Sequence, residues 1–139
     1  MPQPTTVSVT ARADMQDEMQ GFLLNKSLPG ARVRLGDQWQ EHQFTRSGEE
    51  HRFTITTDLD TPQGTVSLEF MDDSEAQGAI EITSLHVNGW PMGISIYQCE
   101  YTPNRSGETL KSHLYLGWPG KWQLTLGPDD FRYAGFSFV

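Results

Sequence analysis

Val66-Ser67-Leu68-Glu69-Phe70, followed by Ile80-Glu81-Ile82-Thr83-Ser84-Leu85-His86-Val87-Asn88-Gly89, is where the pattern of this chain is clearest. Apolar residues take every second position from Val66 to Phe70, the period of a strand with one buried face. The same period runs through Ile80 and Ile82. It resumes at Leu85 and Val87, out of phase. One extra residue near Thr83-Ser84 produces that slip, which is what a β-bulge does. Asn88-Gly89 closes the segment with the dipeptide a type I′ hairpin turn favours, because both central residues need positive φ.

The alternation extends in both directions. Val7, Val9 and Ala11 show it, as do Ala31, Val33 and Leu35, and then Phe53 and Ile55. Ile94 and Ile96 give way to Tyr97, Cys99 and Tyr101, a second change of phase that predicts another bent strand. Leu114 and Leu116 precede a turn, and Trp122, Leu124 and Leu126 follow it. Phe131, Tyr133, Phe136 and Phe138 close the chain. Trp118-Pro119-Gly120 has Pro and Gly where a type II turn wants them, and Ser47-Gly48, Gln63-Gly64 and Ser106-Gly107 are further turn candidates. About nine short strands at this spacing predict an all-β chain, an antiparallel β-sandwich of the jelly-roll or carbohydrate-binding-module kind. One short helix fits residues 14–24, where Met15, Met19, Phe22 and Leu23 share a helical face behind Asp14 as N-cap. No linker or repeat divides the chain, so residues 1–139 read as one domain, with 1–5 as an extended arm.

The chain has 139 residues and a formal net charge of −8. Nucleic-acid affinity comes largely from cations that neutralise phosphates, so this balance argues against nucleic acid as a partner. It argues equally against an anionic membrane surface, and no apolar run approaches the length of a membrane span. The single cysteine, Cys99, excludes an intrachain disulfide and reads as a small buried hydrophobe. Met1 to Thr6 is polar and Pro-rich, unlike a signal peptide, which predicts folding in a cytoplasm.

Few residues suggest chemistry. Asp72, Asp73 and Glu75 place three carboxylates in one short loop, and hard oxygen ligands of this kind suit Ca²⁺ as a cofactor. Their spacing is not that of an EF-hand. Glu49-Glu50 and Asp129-Asp130 are adjacent pairs, whereas a glycosidase needs two carboxyls facing across a cleft. His42, His51, His86 and His113 show no metal-site spacing within one element. No nucleophile elbow, P-loop or dinucleotide fingerprint is present. The expectation is therefore a protein without catalysis, with a small hydrolase as the remote alternative. Among Trp39, Trp90, Trp118 and Trp122, the last keeps strand phase with Leu124 and reads as core. Trp90 and Trp118 adjoin turns. With Tyr115 they are the expected binding or assembly surface, since an exposed ring can stack on a sugar or anchor a protein contact.

Two resemblances bear on function. Gly64 to Gly89, with Leu68-Glu69-Phe70-Met71-Asp72-Asp73 and a strand closing on Val87-Asn88-Gly89, resembles part of certain xylan-binding modules and related phage domains. That likeness implies a carbohydrate-binding module, with Ca²⁺ at Asp72, Asp73 and Glu75. The calcium-dependent modules carry an Asp-Arg-Asn type cluster where this chain has Gly78-Ala79-Ile80-Glu81. The C-terminal half, Tyr97-Gln98-Cys99-Glu100-Tyr101-Thr102-Pro103 and Tyr115-Leu116-Gly117-Trp118-Pro119-Gly120-Lys121-Trp122-Gln123-Leu124, resembles virion structural proteins of tailed phages. That resemblance implies a capsid-decoration, tail or fibre-adaptor protein in the virion, made in the host cytoplasm. Its partners would be other virion proteins, copies of itself among them, and its alternative partner a host glycan.

Overall fold

The computed structural model describes residues 3–14, 28–59, 64–71 and 78–127. It is an antiparallel β-sandwich. One sheet contains β1 (Gln3–Asp14), β4 (Glu50–Leu59), β6 (Ala79–Val87), β7 (Trp90–Pro91) and β10 (Tyr115–Leu116), in the order β10-β6-β1-β4 with β7 also on β6. The other contains β2 (Gly30–Leu35), β3 (Gln38–Gln43), β5 (Gly64–Phe70), β8 (Glu100–Pro103), β9 (Leu110–Lys111) and β11 (Gly120–Leu126), in the order β3-β2-β5-β11-β8-β9. The inward positions of both sheets are mostly apolar, and Trp122, Tyr101, Phe44 and Phe53 are the largest side chains sealed between them. Burying side chains of this size stabilises the fold by roughly 1.5–3 kcal/mol each before entropy is counted.

The bulge lies where the phase slip places it. Thr10 pairs with Ser84 and Ala11 with Ile82, which leaves Thr83 as the unpaired extra residue. Its hydroxyl donates to the Thr10 carbonyl at 3.2 Å. Ile80, Ile82, Leu85 and Val87 all stay buried as a result. The Asn88-Gly89 turn has φ of 51° and 85°, positive at both residues. Asn88 also ties the turn to β1: its side-chain oxygen accepts the Thr6 amide at 2.8 Å, and its own amide donates to the Thr6 carbonyl at 2.7 Å.

Five expectations are corrected or fall outside the described residues. Residues 3–5 are no free arm, because Gln3, Pro4 and Thr5 pair with Leu59, Asp58 and Thr57 in the sheet. Asp14 ends β1, and its carboxylate accepts the Tyr115 hydroxyl at 2.8 Å. The rest of the helix expected over 14–24 lies outside the described residues, as does the strand expected from Phe131 to Phe138. The second phase change is not a bent strand. Ile94–Gln98 forms a 3₁₀ helix, closed by the Cys99 amide donating to the Ile96 carbonyl, and strand pairing starts only at Glu100. Gly120 is not in a type II turn, where its φ would be positive; it is the first residue of β11, and its φ is not.

Candidate functional site

The connection from β10 to β11 crosses from one sheet to the other through Gly117, Trp118 and Pro119 alone. So tight a crossing needs internal anchors, and Tyr101 supplies them from β8. Its phenol is fully buried. The hydroxyl donates to the Trp118 carbonyl and accepts the Trp118 amide at 3.1 Å. Burial pushes the Tyr101 phenol above its ordinary range, so it keeps the proton it donates. The Asn104 amide donates to the Pro119 carbonyl at 2.9 Å, which joins the loop after β8 to the same crossing. From that loop the Arg105 guanidinium lies over the Trp118 ring, 4.6 Å from its centroid. Such a contact contributes about 0.5–1 kcal/mol at an exposed site. Trp118 is thus fixed at its backbone and steadied at its ring, yet 49% exposed.

The register shows what shares this end of the sandwich. Phe70 pairs with Gly120, Ala79 with Asp14, and Leu116 with Ile80. Tyr115 faces Glu81 across the pair and is bonded to Asp14, so it belongs here with Trp118. Burial and the Asp14 carboxylate raise the Tyr115 phenol. Arg12 and Glu81 form an ion pair beside them at 2.8 Å. Trp90 does not join this group. It pairs with Val87, six positions along β6 from the Glu81 opposite Tyr115, or roughly 20 Å at strand spacing. The three residues expected as one surface therefore occupy two places.

Asp72, Asp73 and Glu75 lie outside the described residues, but Met71 and Gly78 on either side belong to the Trp118 end. Among the described residues no group of three or more His, Cys, Asp or Glu is placed to hold a metal ion. Cys99 is buried, and its thiol faces the His113 carbonyl at 3.5 Å rather than an imidazole.

Two features escaped the sequence reading. Trp39 on β3 is 52% exposed, with the Arg32 guanidinium 5.0 Å from its ring centroid. A signal existed: Gln38-Trp39-Gln40-Glu41-His42-Gln43 sets one aromatic among polar residues, the composition of a two-sided exposed edge. His42 and His51 stack at 3.8 Å with ring planes 3° apart. No spacing within the sequence announces that pair, because the two rings come from different sheets.

No family model and no curated protein matches the chain. Among solved structures, vCBM60 in complex with galactobiose is similar, with a TM-score of 0.56 and 17% identity over 88% of this chain and 97% of the other. A selenomethionine form of vCBM60, solved in work on circular permutation between two families of calcium-dependent carbohydrate-binding modules, matches with a TM-score of 0.57. It is 17% identical over 86% of this chain and 89% of that one. At this identity the likeness is one of fold.

Proposed function

We propose that this chain is a non-catalytic carbohydrate-binding module whose sugar stacks at the Trp118 end of the sandwich. The observation that carries the reading is Trp118 itself: half exposed, with both backbone polar atoms held by a buried tyrosine. A ring already fixed in place loses little entropy when a sugar lies on it, which is the advantage of preorganisation. The Arg105 guanidinium and the Tyr115 hydroxyl offer polar contacts at the same end. The fold likeness makes galactobiose, the sugar held by vCBM60, the first ligand to try. Met71 and Gly78, which flank Asp72, Asp73 and Glu75 in the sequence, lie at this end, and Ca²⁺ on those carboxylates belongs to the same reading.

Calorimetric titration of the whole chain with galactobiose and a panel of neutral oligosaccharides tests this. Saturable binding is expected, weakened at least about tenfold, or about 1.4 kcal/mol, in Trp118→Ala. If calcium takes part, EDTA weakens the same binding. Silence on every glycan removes the reading.

A second reading has its own observation. Trp90 is 59% exposed on β7, which pairs with β6 alone among the described residues. We propose that this corner would serve a chain of a tailed-phage particle as a docking point against its neighbours, as the resemblance of the C-terminal half implies. Cryo-microscopy of such a particle should then show this sandwich with Trp90 against another chain. Density that leaves Trp90 in solvent overturns that role.

A further inference from the structure

The six-stranded sheet turns one face to solvent, and the charge on that face runs against the charge of the molecule. Its strands present Arg32, Arg34, Lys121 and Lys111 outward. Against them stand Glu41, Glu69 and Glu100. The strands thus carry a small positive excess in a chain whose formal net charge is −8. Most of these groups are matched. Arg32 gives two donors to Glu41, Lys111 lies 3.8 Å from Glu100, and Glu69 pairs across strands with both Arg32 and Lys121. Arg34 and Lys121 are both exposed and make no ion pair among the described residues, but Lys121 stands opposite Glu69 whereas Arg34 has no carboxylate opposite it on either neighbouring strand.

The partner of Arg34 across the β2–β3 ladder is Trp39. Directly opposed side chains start about 5 Å apart, so Arg34 and Trp39 leave the ladder as neighbours on the same face. Trp39 rests on the Arg32 guanidinium, which Glu41 clamps in turn, and half its surface is open. Arg34 also pairs with Ser67, and Ser67 with Gln123. Trp39, Arg34, Ser67 and Gln123 therefore form a straight row across four strands. At the usual strand spacing it is about 14 Å long, the scale of a short oligosaccharide. It holds an aromatic platform, an unpaired cation, a hydroxyl and an amide.

We infer that this face binds an acidic oligosaccharide, one carrying uronate carboxylates, with a sugar ring on Trp39 and a carboxylate on Arg34. The inference rests on the reading of the chain as a carbohydrate-binding module, but uses a different surface from the Trp118 end. A planar guanidinium takes a carboxylate through two parallel N–H donors, which neutral sugars cannot exploit. The exposed position makes the contact sensitive to salt.

Trigalacturonate and galactobiose, titrated separately into the whole chain, test it. Trigalacturonate is expected to bind, with affinity that falls as salt rises. Arg34→Gln and Trp39→Ala each weaken that binding at least about tenfold, and it survives Trp118→Ala. In the unmutated chain, the indole resonance of Trp39 shifts with trigalacturonate and that of Trp118 with galactobiose, a readout independent of any variant's folding. Failure of trigalacturonate to bind overturns the inference, and so does binding that leaves the Trp39 resonance unmoved. Loss of galactobiose binding alone removes the Trp118 site and leaves this one standing.

Discussion

A side chain at Gly120 would have nowhere to go. A Cβ built there meets the Thr102 carbonyl oxygen at 2.5 Å and the Pro103 Cα at 2.7 Å, both of them backbone. No rotamer change relieves such a contact; β8 and β11 must move apart. They cannot do so freely, because Trp122 on β11 and Tyr101 on β8 pair across the same ladder and are both sealed in the core. Gly120→Ala is therefore expected to destabilise the domain by about 3 kcal/mol, at the upper end for overpacking. Urea unfolding of the two proteins checks it, and a loss below about 1 kcal/mol would show that the ladder yields easily. The separation of β8 from β11 also fixes where Tyr101 meets the Trp118 backbone, so the same glycine positions the candidate site.

Among the elements, those with one buried face were legible in the sequence and the others were not. β5, β6 and β11 declare themselves by alternation because burial on one side imposes period two on the residues. The Thr83 bulge was readable for the same reason: the core accepts only apolar residues, so an extra residue shows as a broken phase. β3 has no buried face to impose a period. Its six residues are intermediate or exposed throughout, and its pattern is polar on both sides. β7, β9 and β10 are two residues each, too short for any period to register. Ile94–Gln98 misled because apolar residues two apart also suit a single 3₁₀ turn that puts Ile96 into the core. The candidate site was legible in part. Turns on either side marked Trp90 and Trp118 as exposed, but only the pairing of Glu81 with Tyr115 and of Val87 with Trp90 separates them. Trp39 belonged to a strand the alternation did not reveal.

At the scale of the whole molecule, the two sheets meet along one side where β3 and β4 lie side by side. The Gln40 side-chain oxygen accepts the Thr54 amide there at 3.1 Å. Next to it His42 from β3 stacks on His51 from β4, and both rings face inward, since their ladder partners are the buried Ala31 and Ala11. The charged group facing them is Glu49, whose carboxylate meets His42 Nε2 at 2.6 Å. β1 and β2 bring only those two alanines opposite. Thr45 amide donation, and then the His42 bond, hold Glu49 down to about 2 from 4.5. Burial, and then His42, lower His51 below 6.5. Both depressions act in one direction. As pH falls through 6.5 the unfolded chain takes up a proton at His51 that the folded chain resists, so stability declines. Below 4.5 the same holds for Glu49, until the folded carboxyl itself titrates near 2. The urea midpoint is therefore expected to drop between pH 7.5 and 5.5. His51→Phe, which keeps a flat ring against His42 and cannot be protonated, is expected to shrink that drop. Glu49→Gln removes the carboxylate that partly offsets the lowering of His51, so it should not shrink that drop, and it should flatten the further decline below pH 4.5. A His51→Phe protein with the unmutated pH dependence would show that the stacked pair does not set it, and that this side of the sandwich stays closed for other reasons.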